Sequence, residues 1–184
     1  MDRGSELYSQ FLAGDDAGLE QLITEYKDGL ILYLHTLVGD VTLAEELTED
    51  TFVRLCVKKP RDKKIGSFKT WLYTIGRNVA ISHMRKAAKA TVPMDTVGEL
   101  ADETADLLQL YLQEEQKILL HRGMEKLKPE YRQVLWLVYF EGFSCQQIGR
   151  IMKKTTHGVE TLAYRARLAL KQILIKEGFD YENL

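Results

Sequence analysis

Apolar residues recur at helical spacing along almost the whole chain. Between residues 67 and 89, for example, Phe68, Trp71, Leu72 and Ile75 follow the i, i+3, i+4, i+7 pattern of one buried helix face. No segment alternates apolar and polar residues between turn dipeptides, so we expect no β-sheet. The three prolines fall where helical patterns begin or end. The sequence therefore predicts an all-α fold.

The helical patterns fall into two groups, separated by residues 91–106. This stretch contains Pro93, Gly98 and several acids but few large apolar residues, a composition typical of a flexible linker. We therefore predict two small helical domains, residues 1–90 and 107–184, joined by a flexible acidic linker.

Capping patterns indicate where several helices begin. A capping box at Thr42-Leu43-Ala44-Glu45 predicts a helix from Thr42 to about Val57, and a second box at Ser144-Cys145-Gln146-Gln147 predicts a short helix that ends at Met152. The other expected segments are two helices between residues 7 and 38 separated at Gly14-Asp15-Asp16, a basic connector at 58–66 and a long helix at 67–89.

The composition is that of an ordinary soluble globular protein, with 45% hydrophobic and 28% charged residues. Cys56 and Cys145 lie far apart, which argues against a disulfide scaffold and favours a cytoplasmic location. No secretory signal pattern precedes the first helix, and no apolar stretch is long enough to span a bilayer. Since no residues have metal-ligand or catalytic spacing, we expect no metal, no cofactor, no small-molecule substrate and no enzymatic activity.

The net charge of −2 conceals a strong segregation of charge. Residues 1–60 carry twelve acids against five bases, whereas residues 61–93 carry eight bases against one acid. Residues 94–130 are acidic again, and residues 131–176 carry eight bases against two acids. Alternating blocks of this kind predict several charged partners.

The second basic block contains a helix-turn-helix pattern. The short helix that ends at Met152 is followed by a turn at Lys153–Thr156 and a second helix at 157–175, and Thr155 or Thr156 can cap this second helix. The two helices are expected to pack through Ile148, Met152, Val159 and Leu162, with Gly149 at their close crossing.

Such a motif places the first residues of its second helix in the major groove of duplex DNA. The expected DNA contacts are Lys153, Thr155, Thr156, His157, Glu160, Thr161, Tyr164 and Arg165.

Several blocks of the chain resemble conserved regions of bacterial sigma-70 factors. Residues 125–134, 139–144 and 147–149 resemble the fourth conserved region of that family. Residues 44–55 resemble the polymerase-binding helix of the second region, and residues 68–80 resemble the promoter-opening helix that follows it. Only these two regions are present, as in the extracytoplasmic-function (ECF) group. The resemblance implies a sigma factor that binds core RNA polymerase, recognises the −35 and −10 elements of a promoter and helps initiate transcription.

The helix expected from Thr42 has an acidic outer face opposite an apolar stripe of Leu43, Leu47, Phe52 and Leu55. Like charges at i, i+4 repel by a few tenths of a kcal/mol, so a basic partner is favoured. The resemblance implies that this partner is the clamp helices of the polymerase's largest subunit. The acidic residues are Glu45, Glu46, Glu49 and Asp50.

The basic block around the 67–89 helix suits a single DNA strand, because cations follow phosphates while an aromatic ring stacks on a base. The resemblance implies capture of the melted non-template strand of the −10 element. The residues concerned are Lys63, Lys64, Lys69, Tyr73, Arg77, Asn78, Arg85 and Lys86. The resemblance further implies contact with the polymerase flap and an anti-sigma factor, often membrane-bound, that holds the protein inactive.

Two other functions stay open at this point. One is a helix-turn-helix regulator that binds duplex DNA as a dimer without core polymerase, although residues 42–90 argue against it. The other is a sigma-like protein-interaction module that titrates a partner without binding promoters. Glu160 and Leu162 keep this second alternative open, because the family commonly has basic residues at these two positions.

Overall fold

The computed structural model describes residues 2–59, 67–90 and 115–176. The predicted linker therefore lies outside the described residues. Within them the chain forms eight helices and no strand, which confirms the all-α prediction. The helices are α1 Arg3–Leu12, α2 Asp16–Val38, α3 Val41–Lys58, α4 Phe68–Ala90, α5 Glu115–Glu125, α6 Pro129–Tyr139, α7 Cys145–Met152 and α8 Thr156–Lys176. We call α1–α4 the N-terminal group and α5–α8 the C-terminal group.

Aspartates cap the first three helices. The carboxylates of Asp2, Asp15 and Asp40 accept hydrogen bonds from the backbone N–H groups of Ser5, Ala17 and Leu43, at 2.9, 3.1 and 2.8 Å. Helix α3 therefore begins at Val41, and the predicted capping box at Thr42 is wrong. Asp40 displaces Thr42 as the cap because its carboxylate reaches a free amide and its charge suits the positive end of the helix.

An aromatic cluster forms part of the N-terminal core. The ring of Tyr8 lies 5.6 Å from that of Phe68 and 5.2 Å from that of Trp71, measured between centroids. Phe68 and Trp71 are buried, as the spacing of apolar residues predicted, while Ile75 is half-buried. Burial of an aromatic side chain of this size contributes about 2–3 kcal/mol, so these rings anchor α4 against α1.

The two groups of helices pack against each other. Helix α2 contacts α6, and α4 contacts α7. One apolar core runs through both groups and includes Leu32 from α2, Met124 from α5 and Trp136 from α6, all of which are buried. As a result, α4 packs against α7, the first helix of the helix-turn-helix. No helix in the described part of the chain is both long and apolar enough to cross a membrane.

Candidate nucleic-acid and polymerase interfaces

The helix-turn-helix is held together by the apolar residues that the sequence indicated. Ile148 and Val159 are fully buried, and Met152 and Leu162 are at least nine-tenths buried. The capping box at the start of α7 is confirmed by two reciprocal hydrogen bonds between Ser144 and Gln147, of 2.9 and 3.3 Å. The backbone N–H of Gly158 donates to Thr155 Oγ1 at 3.0 Å, so Thr155 caps α8.

The turn between α7 and α8 is tight. Lys153 adopts the left-handed conformation, with φ of 57°, at a cost of about 1 kcal/mol relative to glycine. The N–H of Lys154 then donates to the carbonyl of Gly149 at 2.8 Å. A Cβ atom on Gly149 would lie 2.7 Å from the carbonyl oxygen of Lys154, so only glycine fits there without a shift of the backbone.

The DNA contacts predicted for the helix-turn-helix, which the resemblance assigns to the −35 element, lie together on the outer side of this turn. Thr161 is half-buried and the other seven are exposed: Lys153, Thr155, Thr156, His157, Glu160, Tyr164 and Arg165. His157 Nδ1 lies 3.7 Å from Glu160 Oε2, so the acid has a histidine beside it at the start of α8. The surface presents cations, hydroxyl groups and one carboxylate, which suits contacts to phosphates and base edges.

The acidic face predicted for α3 is exposed. All four carboxylates point away from the core: Glu45, Glu46, Glu49 and Asp50. The opposite side of α3 buries Leu47, Phe52 and Leu55, as predicted, and leaves Leu43 half-buried. No ion pair joins these carboxylates to another side chain in the ranges that the structure describes. The face is therefore free to attract a basic partner.

The predicted −10 residues are divided by the contact between the two groups. Arg85 and Lys86 near the end of α4 are exposed, and Asn78 is half-buried. Lys63 and Lys64 lie outside the described residues. The other three meet the C-terminal group: Lys69, Tyr73 and Arg77.

Lys69 binds the segment between α6 and α7. Its Nζ lies 2.8 Å from Glu141 Oε2 and donates to the Glu141 carbonyl oxygen at 3.1 Å. The same ammonium lies 5.0 Å from the centre of the Phe143 ring, within cation–π range. Only 9% of the Glu141 side chain is exposed, so this pair is shielded from solvent more than a surface ion pair.

Tyr73 is almost fully buried in the same place. Its ring stacks on Tyr33 at 5.3 Å and meets the edge of Phe143 at 5.1 Å. Burial, and after it the Glu141 carboxylate, raise the pKa of Tyr73 well above its usual value, so the hydroxyl keeps its proton and donates to Glu141. In this arrangement a nucleic-acid base has no access to the ring.

Arg77 contacts α6 through its side chain. Its Nε donates to Gln133 Oε1 at 3.3 Å, and Gln133 is buried. Sequence reasoning missed Gln133, Glu141 and Phe143 as partners of α4. The charge pattern does single out Glu141, which is one of two acids among eight bases in residues 131–176. It does not show that Lys69 is the base that pairs with Glu141, because many other bases are available.

The described residues include no group of three side chains suited to hold a metal ion.

Two family models match this chain. "Sigma-70 region 2" matches residues 22–90, and "Sigma-70, region 4" matches residues 117–170. The first match covers the acidic face of α3 and the whole of α4, and the second contains α7 and the first 15 residues of α8.

Similar sequences indicate the same family, and a solved structure has a similar fold. The chain is 30% identical over 160 residues to RNA polymerase sigma factor YlaC of Bacillus subtilis, covering 86% of this chain and 92% of YlaC. It is 27% identical over 186 residues to ECF RNA polymerase sigma factor BldN of Streptomyces coelicolor, covering 94% of this chain but 66% of BldN. Its fold is similar to that of CnrH, solved in complex with the cytosolic domain of CnrY, with a TM-score of 0.67, 20% identity and coverage of 95% of this chain and 99% of CnrH.

Proposed function

This chain belongs to the sigma-70 family, in its ECF group, and from that premise we propose how its surfaces act in transcription initiation. It works as a dissociable, non-enzymatic subunit that binds core RNA polymerase, selects promoters and helps to open them. One observation supports this most strongly. The acidic face of α3 and the polar side of the first turn of α8 are both exposed, within segments that match regions 2 and 4 in the family's order.

We assign residues 1–90 to a region 2 domain and residues 107–184 to a region 4 domain, with residues 91–106 as the linker between them. These bounds extend the matched segments, residues 22–90 and 117–170, to include the rest of the chain on either side of the linker. The region 2 domain carries the polymerase and −10 contacts, and the region 4 domain carries the −35 and flap contacts.

The acidic face of α3 is the docking site for the clamp helices of the polymerase's largest subunit. Its four carboxylates occupy positions 45, 46, 49 and 50, within about one and a half helical turns. Each close pair with a basic residue contributes about 1 kcal/mol in water. All four stay exposed while the C-terminal group packs on α2 and α4, so polymerase reaches this face first.

The start of α8 reads the −35 element. Lys153 and Arg165 are placed to contact phosphates, while Thr156 and Tyr164 face outward from the same end of the helix. Glu160 accepts a hydrogen bond from the amino group of a cytosine, the interaction in which a carboxylate gains from a base edge. A cytosine opposite Glu160 is therefore expected in the preferred −35 sequence.

The −10 contacts of α4 require the two groups to separate. Lys69, Tyr73 and Arg77 are engaged by Glu141, Phe143 and Gln133 in the packed arrangement. The packed chain is then the inactive form, and separation frees the three side chains to bind the melted non-template strand.

An anti-sigma factor is the remaining proposed partner. The similar structure of CnrH was solved with the cytosolic domain of CnrY. We place the chain in the cytoplasm, where a partner of this kind, itself in the membrane, holds it away from polymerase.

Selection of genomic DNA by core polymerase tests this function. Tagged core polymerase is incubated with fragmented genomic DNA, with and without this chain, and the retained fragments are sequenced. We expect a small set of fragments that share a −35 and −10 pair and that depend on both proteins. Retention by this chain alone would indicate a duplex-binding regulator, and core binding without selected DNA would indicate an interaction module. Either of these outcomes contradicts the proposal.

A further inference from the structure

Two histidines from different parts of the chain are buried together where α2 meets α5 and α6. His35 belongs to α2 and is 7% exposed. His121 belongs to α5, and only 21% of its side chain is exposed. Both line one small cavity of about 20 Å³, together with Glu125 of α5 and Arg132 of α6. The four ionisable groups therefore lie next to each other, across the contact between the N-terminal and C-terminal groups.

The cluster already contains one cation, Arg132, before either histidine is protonated. The guanidinium of Arg132 is partly buried, and its Nε has no hydrogen-bond partner among the described residues. His35 Nε2 is likewise buried without a partner. The nearest acid, Glu125, has an oxygen 3.2 Å from His121 Nε2. Asp40, the cap of α3, is the other acid that acts on His35.

Protonation of both histidines would leave three cations close together against two acids, Glu125 in the cavity wall and Asp40 outside it. Burial, followed by the charges of His121 and Arg132, lowers the pKa of His35 below its usual 6.5. Burial and Arg132 also lower the pKa of His121, although Glu125 works in the opposite direction. Hence the packed arrangement favours the neutral form of both side chains.

We propose that protonation of His35 and His121 drives the N-terminal and C-terminal groups apart, so that acidification exposes the α4 surface that Glu141, Phe143 and Gln133 cover. This effect of pH on the contact between the two groups does not depend on any role in transcription. The effect of pH on DNA binding by α4, in contrast, rests on the proposed function.

The sign of the effect follows from linkage between protonation and separation. Each histidine regains a pKa near 6.5 when separation returns it to solvent, whereas in the packed form that pKa is lower. The histidines therefore favour packing fully above about pH 6.5, and this contribution is lost as the pH falls below that value. Between pH 7.5 and 5.5 the ratio of separated to packed molecules rises by up to about tenfold for each histidine, or about 100-fold for both.

Labelling of a cysteine in the contact measures this ratio directly. The full-length chain carries Cys56→Ser, Cys145→Ser and Gln133→Cys, since position 133 is buried against Arg77 of α4. A methanethiosulfonate reagent then reports how often the contact opens. Each rate is divided by the rate for the same chain unfolded in urea at the same pH, which removes the reactivity change of the thiol itself.

For the labelled chain with both histidines intact, we expect a normalised labelling rate that rises by up to about 100-fold from pH 7.5 to 5.5. With His35→Gln and His121→Gln added together, the rate should not depend on pH. His83→Gln is the matched control, because His83 is exposed on α4, and it should leave the pH response of the labelled chain unchanged. A rate independent of pH with both histidines intact would overturn the proposal, as would a full pH response in the double variant.

A second variant keeps the test decisive if the double variant does not fold. His121→Gln alone lies at a half-buried position and should reduce the response to about tenfold or less. An undiminished response would overturn the proposal. Neither polymerase nor DNA is present, so failure here leaves the proposed function intact, and failure to select promoters leaves this result unaffected.

Discussion

The ammonium group of Lys69 and the carboxylate of Glu141 lie 2.8 Å apart, 72 residues from each other in the chain. Glu141 also accepts a hydrogen bond from Trp136 Nε1 at 3.3 Å and another from the Tyr73 hydroxyl. One carboxylate therefore binds a cation and an aromatic side chain of α4 at once. Both of those side chains, Lys69 and Tyr73, are proposed to bind the −10 element. While Glu141 holds them, they cannot bind DNA.

Glu141→Gln should loosen the contact between the two groups. The substitution removes the charge that binds Lys69 and should cost about 1–3 kcal/mol of packing free energy. In the Gln133→Cys chain at pH 7.5, the normalised labelling rate should rise roughly 5- to 150-fold. Glu6→Gln, an exposed acid on α1, is the control and should leave the rate unchanged. Equal rates for the two variants would show that the Lys69–Glu141 pair does not hold the groups together.

Charge reversal on α3 should weaken assembly with core polymerase. Glu46→Lys together with Asp50→Lys turns attraction for a basic partner into repulsion, so the dissociation constant should rise at least about tenfold. Fluorescence anisotropy of the labelled chain, titrated with core polymerase, measures this constant. Glu6→Lys with Glu20→Lys is the matched control, because it changes the net charge equally at exposed positions on α1 and α2. If both double variants lose the same affinity, the site is not on α3.

Arg77→Ala with Asn78→Ala should abolish promoter opening while binding to the closed duplex survives. These residues are proposed to bind the melted strand, which does not exist before opening. Permanganate reactivity of thymines in the −10 element measures opening, and a gel-shift assay measures duplex binding. Ser82→Ala, at an exposed position farther along α4, is the control. Thymine reactivity at the level of the unchanged chain would rule out the proposed role.

Gly149→Ala should destabilise the helix-turn-helix. The new methyl group would lie 2.7 Å from the backbone carbonyl oxygen of Lys154, so the backbone of the turn must shift to make room for it. We expect the free energy of unfolding to fall by about 1–3 kcal/mol. Urea titration followed by circular dichroism measures it, with Ser82→Ala expected to stay within about 0.5 kcal/mol. No loss of stability would mean that the turn relaxes freely.

The local structure could be predicted from the sequence where neighbouring residues determine it. The spacing of Phe68, Trp71 and Leu72 is enough to define the buried side of α4, because a helix repeats every 3.6 residues. Ser144 and Gln147 form the predicted cap because both partners lie within four residues. Thr42 failed as a cap for an equally local reason, since Asp40 competes for the same end of the helix.

The contact between the two groups could not be predicted in this way. Lys69 and Tyr73 look like nucleic-acid ligands by charge and ring type, and nothing near them in the sequence indicates that Glu141 and Phe143 cover them. Histidines such as His35 also look ordinary on a helix until a second element packs against them. Contacts between residues far apart in the sequence depend on how whole helices pack. The distribution of charge along the chain limits the possible packings but does not determine which one forms.

Run-off transcription by reconstituted polymerase tests the central claim most directly. Core polymerase, this chain and one of the selected genomic fragments are combined, and transcripts of defined length are counted. We predict transcripts that start downstream of the shared −10 element, that require the chain, and that are lost with Glu46→Lys plus Asp50→Lys. Transcript yields equal to those of core polymerase alone, on fragments that the complex binds, would contradict the account.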